Sequence, residues 1–452
     1  MASTFLTRTP SSAGNRKTFT ISAWVKRGTI SSANSQIIST GVYSSSQLFQ
    51  TFFESDDTLY ISDYTSGGSK SFQLSTNRKL RDINCWYHIL FAVDTTQGTA
   101  SNRVKVYING VQETSFSEAT YPSQNFDCAF NLNQLHTIAN RNGTNFEFGG
   151  SMSYLASVDG TAELPTIFGE TDTTTGQWKI KTSITPSVAW GTNGFLILKN
   201  GNSLTDESTN TNNFTLGAGT LTDTKDCPDN VFATLNSLDN YYAGGTFANG
   251  NNTVTTINTG YTYNTSTFGV ATGKWYWECK WSAQPTGSSD QVQIGIAKRP
   301  APSSTTWLGQ QLYTYGYQGS SGHVQNNNVN ASGSVATPYS VGDIISVAMD
   351  LDNNKIHFAK NGAWTNSSDP AANSGGVTIT APDSTPEDSG VYFAAFGDAN
   401  NSLQETGQFN FGNGFFGTSA VTSAGTAGST PGTFEYDVPS GYEPLSTKGL
   451  NA

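Results

Sequence analysis

Residues 345–364 read ISVAMDLDNNKIHFAKNGAW. Ile345, Val347, Met349 and Leu351 are apolar at every second position, the period of a strand with one face on a core. Asp352, Asn353 and Asn354 then form a cluster that tolerates left-handed backbone and favours a tight turn. Ile356 and Phe358 resume the alternation, and Asn361-Gly362 supplies a second turn. The stretch predicts an antiparallel hairpin with one wet face. Asp350–Asn354 superficially suits a calcium loop, but Lys355 and Asn361 stand where the glycine and the closing acid would be needed.

A second hairpin of the same kind lies far upstream. Ile89, Phe91 and Val93 alternate, residues 94–102 form a polar loop, and Val104, Val106 and Ile108 lead into Asn109-Gly110. Two such hairpins in 452 residues predict two β-sandwich domains, since one ordinary sandwich is too small for the chain. Only 13% of residues are charged, a profile that disfavours helices, while 12% are aromatic, which disfavours disorder. The expected fold class is all-β, with two jelly-roll-type antiparallel sandwiches in tandem.

The net charge is −11 with no basic stripe, so no nucleic-acid partner is expected. No apolar run reaches the ~20 residues of a membrane span, and MASTFLTRTP lacks the apolar core of a signal peptide, so synthesis in a cytoplasm without membrane insertion is expected. Cys85, Cys128, Cys227 and Cys279 have no metal-binding spacing and read as small apolar residues rather than disulfides. His88, His136, His323 and His357 are scattered, and His88 and His357 sit within strand patterns as structural residues. No metal or other cofactor is expected.

Along the first half, Thr18–Arg27 places Phe19, Ile21, Ala23 and Val25 on one face; residues 36–40, 48–53 and 58–62 are further short strands. Residues 149–158 continue the pattern, with Met152, Tyr154 and Ala156 expected on one face. The set FTISAWVKR, CWYHILFAVD, RVKVYINGVQE and FGGSMSYLASVDG resembles a laminin G-like (concanavalin A-like) jelly roll. Ala162-Glu163-Leu164-Pro165, Phe168-Gly169-Glu170, Gly176-Gln177-Trp178 and AWGTNGFLI at 189–197 resemble the tail of this domain in structural proteins of tailed bacteriophages, especially marine ones. In the second half, Gly273–Trp281 alternates Trp275, Trp277, Cys279 and Trp281 with Tyr276, Glu278 and Lys280. The order GKWYWE, QIGIA, GDIISVAMDLDNNKIHFAKNG, VYFAAFGD, FNFG and PSGYEPL resembles a SPRY (B30.2) domain. The expected division is a jelly roll over 1–222, a seam over 223–239 marked by Pro228, and a SPRY-like sandwich over 240–452.

These resemblances imply a virion protein of a tailed phage, present in multiple copies as a homo-oligomer or array. Its implied partners are other virion proteins and host-surface polysaccharide or envelope. A capsid decoration or head-fibre role limited to virion contacts is one alternative. A glycan-cleaving enzyme is another, but it needs two carboxylates ~5–9 Å apart, and the nearest approach, Glu54-Ser55-Asp56-Asp57, reads as a turn. SPRY relatives bind through loops at one end of the sandwich. Here the corresponding aromatics are Trp307, Tyr313, Tyr315, Tyr317 and Trp364, set among amides that suit sugar hydroxyls; Tyr313 and Tyr315 read equally as core residues of a strand.

Overall fold

The computed structural model describes residues 4–31, 33–42, 46–143, 145–184, 188–199, 201, 203–239, 244–284, 291–331, 333, 336–382, 389–400, 402–423, 425 and 431–451. Among them the only helices are short 3-10 turns, and every sheet is dominated by antiparallel pairs. The chain divides into two compact units, residues 1–223 and 224–452. Each is a sandwich with its own apolar core.

In the first unit an eight-stranded sheet runs in the order Phe116–Thr120, Lys70–Lys79, Thr58–Tyr64, Leu48–Phe53, Ser35–Thr40, His136–Ile138, Phe5–Arg8 and Thr215–Ala218. It faces a six-stranded sheet ordered Phe195–Ile197, Gly150–Asp159, Thr18–Arg27, Trp86–Asp94, Val104–Ile108 and Val111–Glu113. Phe19, Ile21, Ile89, Phe91, Phe49, Leu59 and Ile61 interleave between them, as the alternation requires. The expected hairpin pairs Ile89 with Ile108 and Val93 with Val104, and Asn109 turns at a φ of 49°. One expectation fails at Tyr154. There a bulge at φ 48° shifts the register, so Met152 and Leu155 face the main core while Tyr154 and Ala156 face the opposite side. On that opposite side His88 stacks on Trp24 at 4.9 Å and on Trp178 at 5.9 Å. Trp178 Nε1 donates to His88 Nδ1 at 3.0 Å, so Nε2 carries the proton and donates to Ser22 Oγ at 2.9 Å. His88 is a structural residue; burial pushes its pKa down to about 3.

In the second unit the larger sheet runs Thr246–Ala248, Thr253–Thr255, Thr406–Asn410, Lys274–Ala283, Ile344–Asp350, Lys355–Lys360 and Ala363–Trp364, with Val377–Thr378 and Glu443–Pro444 pairing off this path. The smaller sheet runs Thr262–Val270, Tyr392–Asp398, Val292–Ala297, Thr314–Gln318, Val324–Asn326 and Val329–Asn330. The hairpin at 345–364 forms as expected: Ile345 pairs with Lys360 and Asp350 with Lys355, and Asn354 and Asn361 turn at φ 54° and 49°. Asp350 holds the turn, accepting from Asn353 N at 3.0 Å and pairing with Lys274 at 3.2 Å.

Its second face is not wet. Tyr276, Glu278, Ser346, Ala348, His357 and Ala359 are all buried; residues 434–442 lie across Tyr276, Glu278 and Ala348 as a strap, and Gly376 sits against the His357 ring. Phe434, Val438 and Tyr442 pack on Tyr276 and Ala348. Glu278, inaccessible to solvent, fastens the strap by accepting from Glu435 N and Tyr436 N at 2.9 Å each, and from Tyr276 Oη at 3.0 Å. The stretch expected as a seam also has a structural role: Phe232, Ala233 and Leu235 belong to the second core. Ala233 N donates to Leu445 O at 2.8 Å and Thr447 N to Val231 O at 2.9 Å, so entry and exit of this unit lie side by side. The first unit closes likewise, with Phe5 paired to Ala218 and Thr7 to Thr215. All four cysteines are free; Cys128 and Cys279 are buried, Cys85 and Cys227 half-buried.

Candidate functional site

The expected aromatics do not form one site. Tyr315 and Tyr317 are 3% and 1% exposed and face the core from the Thr314–Gln318 strand. Gly316 between them looks like a loop signal, yet the strand pairs on both sides, and residues two apart must share its core face. Tyr315 Oη accepts from Thr380 N at 3.0 Å and Tyr317 Oη donates to Thr337 O. Tyr317 also walls a narrow hollow with Val324, Ile356, Phe358 and Val377. Trp364 is half-buried against the strap cluster on the outer face of the other sheet. These three are structural placements and leave Trp307 and Tyr313.

Trp307 and Tyr313 belong to a flap, residues 298–313, that joins two adjacent strands of the smaller sheet. The strand ending at Ala297 pairs with the one starting at Thr314, so the flap must leave the sheet and return to the same edge. It does so across the sheet's outer face. Ala301 and Leu308 on its underside pack with Tyr263, Ala297 and Ala395. A Cβ on Gly316 would lie 2.6 Å from Leu308 O, so this position must be glycine for the flap to lie down. Lys298 N donates to Tyr313 O at 3.1 Å and closes its base; Gly309 N donates to Thr314 Oγ1 at 2.9 Å.

The upper surface carries two half-buried aromatic pairs. Trp307 meets Tyr261 edge-on, with ring centroids 5.3 Å apart at 75°. The Arg299 guanidinium lies 4.1 Å from the centre of the Tyr313 ring, and its Nη2 donates to Tyr313 Oη at 2.6 Å. Tyr263, two residues along from Tyr261, donates from Oη to Arg299 O at 3.1 Å. Leu312 beside them is 50% exposed. A half-buried ring with an open face and hydrogen-bonding neighbours stacks on flat or cyclic ligands. Tyr261 and Arg299 were not singled out from the sequence. Pro300 directly after Arg299 is the available signal, since it ends the strand and leaves the cation at the mouth of a loop.

The acids with strongly raised pKa lie elsewhere. Burial pushes Glu278, Asp398 and Asp63 up to about 7. Glu278 holds the strap, Asp398 accepts from Thr256 Oγ1 and Asn400 N, and Asp63 accepts from Ala129 N. The tetrad at 54–57 is a turn whose Asp57 is buried in ion pairs with Arg27 at 3.0 Å and Arg81 at 2.7 Å. Among the described residues no group of three or more His, Cys, Asp or Glu is placed to hold a metal.

Residues 4–178 match the family described as the concanavalin A-like lectin/glucanases superfamily, and residues 274–414 match the SPRY domain. The chain therefore carries a lectin-like domain followed by a SPRY domain. No curated protein matches it. Among solved structures, the SPRY domain of human HERC1 is 16% identical with a TM-score of 0.27, covering 35% of this chain and 86% of that one. The native heptameric SAP-like pentraxin from Limulus polyphemus is 17% identical with a TM-score of 0.26, covering 36% and 72%.

Proposed function

We propose that this is a non-catalytic virion protein of a tailed phage, displayed in many copies, whose SPRY flap contacts glycan on the host surface. The observation that carries the binding role is the flap's upper surface. Trp307, Tyr261 and Tyr313 stay half-exposed there, although apolar packing beneath the flap already accounts for its fold. The virion assignment rests on the resemblance of residues 162–197 to the tail of the lectin-like domain in phage structural proteins. Many weak sites on one particle multiply effective affinity, which suits shallow stacking contacts. The buried carboxylates, each tied to backbone or hydroxyl donors, support binding rather than hydrolysis.

Trp307→Ala with Tyr313→Ala is the test. Each stacking contact is worth ~0.5–1.5 kcal/mol, so adsorption of particles to host cells falls several-fold while the melting temperature holds. Unchanged adsorption, with virions that instead lose the protein or their stability, makes the flap an assembly contact. The protein is then a decoration or head-fibre component.

A further inference from the structure

We infer that the flap takes an acidic saccharide, with the sugar carboxylate seated on Arg299; this rests on the glycan reading above and names the class of glycan. The argument starts from what Arg299 lacks. Arg27 and Arg81 share the Asp57 carboxylate, and Arg78 pairs with Glu113 at 3.2 Å. Arg8, Arg16 and Arg103 form no ion pair with a described residue, but each donates three hydrogen bonds to amide or carbonyl oxygens. Arg299 has neither a carboxylate nor such a set among the described residues, in a protein of net charge −11. Its one side-chain hydrogen bond to a described residue runs from Nη2 to the neutral Tyr313 Oη, and Nε is buried with no partner. Nε is sealed from solvent, so an anion would meet the guanidinium from its Nη1 side, which donates to no described residue.

Its position is also fixed. The guanidinium lies over Tyr313 at 4.1 Å, and its own backbone carbonyl is held by Tyr263 Oη at 3.1 Å. Little side-chain freedom remains to be lost on pairing with an anion, which favours affinity. A free phosphate or an acidic peptide would satisfy the charge equally. The half-buried Trp307–Tyr261 pair on the same flap decides between them, because a uronic-acid chain presents alternating rings and carboxylates and can span an aromatic pair and a cation. Gln310 and Gln311, half-buried on the same flap, add amide groups suited to hydroxyls.

The experiment measures binding of the full chain to oligogalacturonate, to the same oligomer after carboxyl reduction, and to polyglutamate of similar length. The expected result is binding to oligogalacturonate that weakens with salt and drops about tenfold or more on carboxyl reduction. Arg299→Gln brings a loss of the same size and Arg299→Lys a partial one, while Trp307→Ala weakens both sugars alike. Because the ligand itself is altered in one arm, a variant that folds poorly leaves the test intact. Equal binding of acidic and reduced sugar overturns the inference and leaves glycan binding standing. Binding of polyglutamate but neither sugar, or of none of the three, overturns both.

Discussion

Trp277 has no accessible surface and sits mid-strand in the second core, with Nε1 lacking a hydrogen-bond partner. Trp277→Ala therefore loses packing alone and leaves a cavity. A cost of ~3–5 kcal/mol is expected in urea melts, against about 0.5 kcal/mol for Lys280→Ala, which is half-exposed. Equal costs would mean that the register along Lys274–Ala283 is wrong by one residue. Residues of this kind were legible because alternation reports the core face directly. Tyr317 was not. Gly316 and Gly319 beside it signal a turn, but the glycine is there to let Leu308 approach. Arg299 was equally hidden, since what distinguishes it is having one side-chain hydrogen bond to a described residue where other arginines have several, which depends on how distant segments pack.

At the level of elements, both long hairpins formed where period-two runs flank a polar turn or loop, and Asn-Gly then turns each into a further short strand, because those signals are local. The strap was invisible for the opposite reason. Its contact with the Ile344–Lys360 hairpin joins segments ~80 residues apart, and Phe434, Val438 and Tyr442 follow no strand period. A polar face on a strand predicts water beside it unless another element supplies partners, and here the strap's backbone supplies them to Glu278. Phe434→Ala should cost ~3–5 kcal/mol, as for a core residue, when read by chemical denaturation. A cost under about 1 kcal/mol would mean that the strap merely rests on the surface.

For the whole molecule, two cores imply two cooperative melting transitions, and buried titratable groups give them opposite responses to acid. In the first unit burial depresses His88 to about 3 and His136 to about 4, against Asp63 raised to about 7 and Glu163, also pushed up by burial. A histidine depressed in the folded state costs stability as pH falls below its unfolded value near 6.5. A carboxyl raised in the folded state restores stability over the same fall, from about 7 to its unfolded value near 4. Among the groups shifted furthest the two histidines outnumber Asp63, so the first unit weakens between about pH 6.5 and 4.5. The second unit has the reverse balance: Glu278 and Asp398 at about 7 against His357 at about 4. It strengthens over that window. One net proton across two pH units is worth about 2 kcal/mol in each direction, so calorimetry at pH 7.5 and pH 5 should show one transition falling and the other rising. Parallel shifts would contradict this reading. Asp57, Asp94, Asp343 and Asp350 are held below the usual carboxylate range and act only in stronger acid.

The paired ends of each unit have a mechanical consequence. Phe5 beside Ala218, and Phe232 beside Ser446, are antiparallel partners at the points where the chain enters and leaves. Tension along the polypeptide would pull such partners apart from one end and load their hydrogen bonds singly rather than together. The outermost pairs then open at low force and re-form when the load drops, lengthening the tether before either core is strained.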